Sequence, residues 1–408
     1  MDSSTATSFR RDARVIGVIG VAHGLSHFFQ LVLPPLFPLL RTEFDVSYAT
    51  LGALMSVFYV ASGICQFGAG FAVDRFGARP VLLAGLSLLA GSVLVAGVAP
   101  GVYWLFPLAM LMGLGNGVFH PADFAVINAN VDPRRLGHAY SVHGIGGSLG
   151  YAIAPLASYG VGVIYGWRAS LLLFGALGLI AVAVLSMQRG ALRSRAHDAA
   201  APRHTWKNSV ELFRQTPILL CFVYFAVVTI AGIGIQTFAG TTLHAAYDVS
   251  LVVAASALTA YFVGSTFGIL VGGFLATRTQ RHDRVAAAGL ASGAALMLLL
   301  AAAPGLAAWS VTLLFITGFV LGATGPSRDM IVRNATPPGA SGRVYGFVYS
   351  GLDLGATLSP VSIGLLLDHD SPRAVFVFIG VALLLAVATV IRVRSGGRAV
   401  AVSPRGAD

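Results

Sequence analysis

Twelve long apolar stretches constrain this chain more than any other feature of its sequence. They run over 15–40, 49–73, 80–99, 102–127, 138–164, 168–187, 217–243, 251–276, 285–303, 307–330, 343–367 and 373–391. A helix needs about 20 mostly apolar residues to cross a bilayer. Backbone polar groups in hydrocarbon are satisfied only in helices or closed barrels. Unbroken apolar runs of this length predict helices, so the expected fold is an all-α membrane protein with twelve transmembrane helices. Composition agrees: 10% of residues are charged, against about 25% in soluble domains. A mean hydropathy of +0.80 over the whole length excludes one anchored globular domain. Connections are short except at 188–216, which carries Arg189, Arg193, Arg195, Arg203, Lys207 and Arg214. The chain therefore divides into a six-helix half at 1–187, a polar central loop at 188–216 and a second six-helix half at 217–408.

The formal net charge is +10, which raises the question of nucleic acid. The distribution answers it. With the N-terminus inside and twelve crossings, every Lys and Arg except Arg41, Arg168 and Arg373 falls in an inside segment. Such an imbalance orients membrane helices. The basic residues are thus topogenic, no nucleic-acid partner is expected, and both termini and the central loop are expected in the cytoplasm. Lys207 is the only lysine; the preference for Arg points to a GC-rich bacterial genome and hence to the inner membrane. The first apolar run is too long for a signal-peptide core and has no small-residue cleavage site, so no cleavable leader is expected. Cys65 and Cys221 both lie in apolar runs, which provides neither a disulfide framework nor metal-ligand spacing.

An internal repeat links the halves. At a constant offset of 205, identities fall at Gly113/Gly318, Gly117/Gly322, Pro121/Pro326, Pro133/Pro338, Gly137/Gly342, Tyr140/Tyr345, Gly146/Gly351, Gly150/Gly355, Pro155/Pro360 and Arg168/Arg373. Most are Gly or Pro, which set close contacts and bends. Six spans per half keep both halves in the same orientation. Two parallel six-helix repeats are the plan of transporters whose site lies between the halves.

Between spans 2 and 3 runs Gly70-Phe-Ala-Val-Asp74-Arg75-Phe-Gly77-Ala78-Arg79-Pro80. A turn there needs Gly77 for its bend, and Asp74, Arg75 and Arg79 sit at helix ends where they can pair with each other and with helix dipoles. The pattern resembles the signature loop of the major facilitator superfamily, and with twelve spans and a central loop the resemblance covers nearly the whole chain. It implies the major facilitator fold, usually a working monomer, with this loop latching the cytoplasmic side. Ala78 stands where one of the usual basic residues would, which weakens the expected latch. The second-half counterpart, Gly273 to Arg284, lacks the matching Asp. Span 5 carries Gly146-Gly147-Ser-Leu-Gly150-Tyr-Ala-Ile-Ala154-Pro155, similar to the antiporter motif of drug exporters except that Ala154 replaces the Gly before Pro. Span 4 lacks the arginine of many proton-coupled exporters; Ala109 stands about there. The run Gly115-Asn116-Gly117-Val-Phe-His120-Pro121-Ala-Asp123 is similar to the fosmidomycin-resistance group of exporters.

A charge at mid-membrane costs about 2.5–3.5 kcal/mol on insertion scales, which makes each a functional candidate. The resemblance places spans 1, 4, 7 and 10 around a central cavity. His23, His27 and Gln30 share one face of span 1 at i, i+4 and i+7, and Asn116, His120 and Asp123 repeat the spacing on span 4. These faces read either as hydrogen bonding within the bundle or as a substrate and proton path. Gln236 on span 7 and Tyr349 on span 11 join the candidate cavity. Asp353, midway along span 11, is a candidate proton carrier with Asp123 and His120; the alternative is a structural acid held by Tyr345 and Tyr349 or by a backbone amide. Asp123 and Arg328 are equivalent at offset 205, so opposite charges on spans 4 and 10 point to a cytoplasmic gate, unless Arg328 pairs with Asp329 or holds an anionic substrate.

No enzyme constellation is present. Gly24-Leu-Ser26-His27 lacks the acid and second Gly of a serine nucleophile motif, and neither a zinc-protease helix nor a phosphate-binding loop occurs. No cofactor or metal is expected. The sequence therefore predicts a secondary transporter of a small molecule in the lipid bilayer, working by alternating access and driven by protons. Export by antiport is the first reading. Proton-coupled uptake of a small organic anion is the alternative.

Overall fold

The computed structural model describes residues 3–132, 135–192, 211–337 and 341–401. Every regular element among them is helical. Twelve helical segments are long and apolar enough to cross a membrane: Phe9–Phe44, Tyr48–Gln66, Ala78–Ala96, Val102–Asn130, His138–Tyr165, Trp167–Ser186, Thr216–Tyr247, Leu251–Arg278, His282–Ala302, Pro304–Ala335, Phe347–Asp368 and Pro372–Val393. These are spans 1 to 12, each within a few residues of its sequence reading except at the ends of spans 1, 2 and 10. Large apolar side chains lie bare on the outside, Ile64, Ile164, Phe267 and Leu270 among them. Such a surface is stable against lipid tails, not water. Most of the central loop, including Arg193, Arg195, Arg203 and Lys207, lies outside the described residues.

The chain separates into two compact units, Met1–Ala199 and Ala200–Asp408. Each is built the same way inside. Span 1 packs on span 5, span 2 on span 4 and span 3 on span 6; span 7 packs on span 11, span 8 on span 10 and span 9 on span 12. Small residues permit this. A methyl added at Gly150 would lie 2.0 Å from the Gly24 carbonyl oxygen, and one at Gly146 would lie 2.3 Å from that of Gly20. In the second unit, methyls added at Gly355 and Gly351 would lie 2.3 and 2.6 Å from the carbonyls of Ala226 and Phe222. Membrane helices have no hydrophobic drive to associate, so close van der Waals contact between backbones holds them. Caps repeat as well. Asp45 and Asp248 end spans 1 and 7 in the left-handed conformation, and Ser47 and Ser250 cap the next helices by accepting from the Thr50 and Val253 amides.

Span 1 ends its first helix at Gln30 and resumes through a 3-10 turn at Pro34–Leu36 as Phe37–Phe44; spans 4 and 10 are not continuous either, although their apolar runs are. Span 4 comprises helices Leu105–Asn116 and Phe119–Asn130, and span 10 comprises Ser310–Gly322 and Gly325–Ala335. The cause is Pro121 and its repeat Pro326. Each lacks the N–H that would bond the carbonyl four residues earlier, at Gly117 or Gly322. Pro155 and Pro360, by contrast, lie within unbroken helices.

Candidate functional site

In the first unit, spans 1, 4 and 5 bring four imidazoles and one carboxylate together. Asp123, on the second segment of span 4, is wholly buried. His143 on span 5 shares a 3.0 Å hydrogen bond between Nε2 and Asp123 Oδ2. His23 Nδ1 on span 1 approaches the same oxygen at 3.1 Å, but outside hydrogen-bonding geometry. The His23 and His143 rings stack with centroids 3.6 Å apart. His27 lies against His23 at 4.3 Å and against Tyr151 at 4.2 Å, and His120, more open, lies 5.1 Å from His23. Asp123 Oδ1 and His27 Nδ1 are buried without a hydrogen bond among the described residues.

Local sequence explains the assembly. His23 and His27 are one turn apart and so face the same neighbour. Gly147 leaves room for them: a methyl there would lie 2.9 Å from the His27 ring and 3.0 Å from His23 Cδ2. The break at Gly117-Val118 starts a new helix that carries His120 and Asp123 on one face. Gln30 stands beyond the cluster and crosslinks three spans, donating to the Tyr59 hydroxyl at 3.2 Å and accepting from Tyr151 at 2.9 Å. Asn116 is not in the cluster; it donates to Ser62 Oγ on span 2 at 2.9 Å. His143 was missed by the sequence reading. The signal is its position four and seven residues before Gly147 and Gly150, which puts it on the glycine face turned to span 1.

The second unit holds a separate cavity of about 260 Å³, lined in part by Thr229, Gln236, Tyr261, Ser265, Thr324 and Arg328. Gln236 Oε1 is buried there without a partner among the described residues. Arg328 lies over the Phe225 ring at 4.9 Å and donates from Nε to Asp329 Oδ1 at 3.1 Å. Tyr349 donates to the same Asp329 oxygen at 3.3 Å, not to Asp353. Asp353 is half-buried, and no hydrogen bond to its carboxylate occurs among the described residues. The Tyr345 side chain lies outside them. Within their own units, then, Asp123 is engaged by histidines and Arg328 by its neighbour Asp329.

At the ends of the first unit, arginines tie helices together. Arg79 donates to the Ser186 carbonyl at the end of span 6 at 2.7 Å, where a helix C-terminus attracts cations. Buried Asp12 accepts from Arg135 at 2.6 Å and from the Asp132 amide at 3.2 Å. Gly77 has φ 83°, a conformation that disfavours any side chain. Gly70 has open space around its Cα. Arg75 is exposed with its guanidinium near Phe76, and the Asp74 side chain lies outside the described residues.

A family model described as Major Facilitator Superfamily matches residues 19–256 and 226–407. The chain is 24% identical over 396 residues to the fosmidomycin resistance protein of Escherichia coli, covering 95% of each. It is 25% identical to the uncharacterized MFS-type transporter YfnC of Bacillus subtilis, covering 87% of this chain and 86% of that one. Among solved structures, the nucleoside transporter NupG superposes with a TM-score of 0.75 at 14% identity, over 93% of this chain and 99% of that one. At that identity the likeness concerns the fold alone. Twelve helical spans in two internally repeated units and a family match running through nearly all of both lead to one statement: the chain belongs to the Major Facilitator Superfamily and is a multi-pass secondary transporter, not an enzyme.

Proposed function

We propose that this transporter exports a small molecule across the cytoplasmic membrane in exchange for protons, by alternating access, with both termini in the cytoplasm. The observation that carries the coupling is Asp353. It is a half-buried carboxylate near the middle of the helix Ser341–Asp368 that forms span 11, with no hydrogen bond among the described residues. An ionised carboxylate without a partner is costly at that depth, and a carboxylic acid is not, so Asp353 can take up and release one proton per cycle. Export is supported by the relative of matching length named for fosmidomycin resistance and by the glycine-rich face of span 5. The test is transport in proteoliposomes. Asp353→Asn is expected to abolish pH-driven transport and to spare counterflow. Unchanged pH-driven transport would remove Asp353 as the proton site.

The second reading, proton-coupled uptake of a small organic anion, draws on Arg328. Its guanidinium lines the second-unit cavity, and only its Nε bonds to Asp329. Proton flux separates the two readings, because an antiporter moves protons against the substrate and a symporter moves them with it.

A further inference from the structure

The transport reading makes no use of the imidazole cluster, whose chemistry is that of a metal site. His23, His120 and His143 come from three different spans, yet their ligand nitrogens lie within 4.8 Å of one another. Asp123 Oδ2 stands 3.1 Å from His23 Nδ1 and 3.0 Å from His143 Nε2. Ligands bound tetrahedrally at about 2.0–2.1 Å stand roughly 3.3 Å apart. Each of these two nitrogens is thus already at ligand spacing from the carboxylate, and the three imidazoles, whose ligand nitrogens all lie within 4.8 Å of one another, have to draw together by up to about 1.5 Å. Asp123 and His23 are almost wholly buried. Asp123 Oδ1 and His23 Nδ1 have no hydrogen bond among the described residues, which leaves two buried polar atoms without the partner such atoms usually have. His120 is the open member. Nitrogen and carboxylate donors without a thiolate suit zinc and its first-row neighbours; magnesium prefers oxygen donors.

We propose that His23, His120, His143 and Asp123 form a binding site for one divalent transition-metal cation, which crosslinks spans 1, 4 and 5 within the first half.

The experiment uses the full chain, purified without a histidine tag, stripped with chelator and placed in nanodiscs, with Zn²⁺ or Co²⁺ alone as the probe. One equivalent of Zn²⁺ is expected to bind saturably and raise the unfolding temperature, and excess Mg²⁺ should not compete. His143→Gln and Asp123→Asn should each weaken binding at least tenfold, whereas His369→Gln, at an exposed helix end, should leave it unchanged. X-ray absorption of the zinc-loaded wild type needs no variant to fold. It should give three imidazoles and one oxygen at about 2.0–2.2 Å. Absence of saturable binding overturns the proposal. So does a shell containing sulfur or fewer than two imidazoles, or an affinity untouched by both variants when they fold.

Discussion

Gly150 and Gly144 look alike in the sequence, two glycines six residues apart on span 5, but the fold treats them differently. Gly150 is buried against the Gly24 carbonyl, while Gly144 is exposed with nothing within 4 Å of an added methyl. Gly150→Ala must therefore push spans 1 and 5 apart, at a cost of about 1–3 kcal/mol for an overpacked contact. Gly144→Ala is expected to be neutral or to stabilise by up to about 1 kcal/mol, since alanine is the better helix former. Thermal unfolding of the two purified variants in one detergent checks this; equal midpoints would mean that the helices pack on another face. The same scale shows what spacing could and could not convey about the site. The shared face of His23 and His27 was legible, because i, i+4 proximity is a property of any helix. The contacts that Asp123 makes within its own unit were not. They are with His23 and His143, 100 and 20 residues away along the chain.

At the scale of the element, the two spans broken at a repeated proline, 4 and 10, stand out. The apolar runs of spans 4 and 10 are continuous in sequence, and hydropathy does not register a missing hydrogen bond. Pro121 and Pro326 were visible as repeat markers; a helix can accept a proline with a bend, as it does at Pro155, or break, as here. Where span 4 turns, Gly117 lies close against the Ser62 carbonyl of span 2. Pro121→Ala restores the donor for the Gly117 carbonyl and should let span 4 run straight, rotating His120 and Asp123 relative to spans 1 and 5. The expected result is a stable protein with at least tenfold lower transport rate. Wild-type flux in a folded Pro121→Ala protein would show that the break is not used.

For the whole molecule, the decisive quantity is charge outside the membrane. If the arginine-rich connections lie in the cytoplasm, a fluorescent reporter fused after the last span should light up. An alkaline phosphatase fused within 188–216 should stay inactive, and one fused in the Arg168 connection should be active. An active fusion within 188–216 would reverse the assigned orientation. By itself the sequence determined how many times the chain crosses, where it crosses and that it does so twice over in a repeated plan. Those properties follow from segment hydropathy and local backbone chemistry, which each stretch carries with it. Only the tertiary structure decided that three spans meet around one buried carboxylate, that His143 belongs to that group and that Arg79 closes the end of span 6. Such contacts depend on which glycine faces let backbones touch, and no local pattern encodes the distance between residues far apart along the chain.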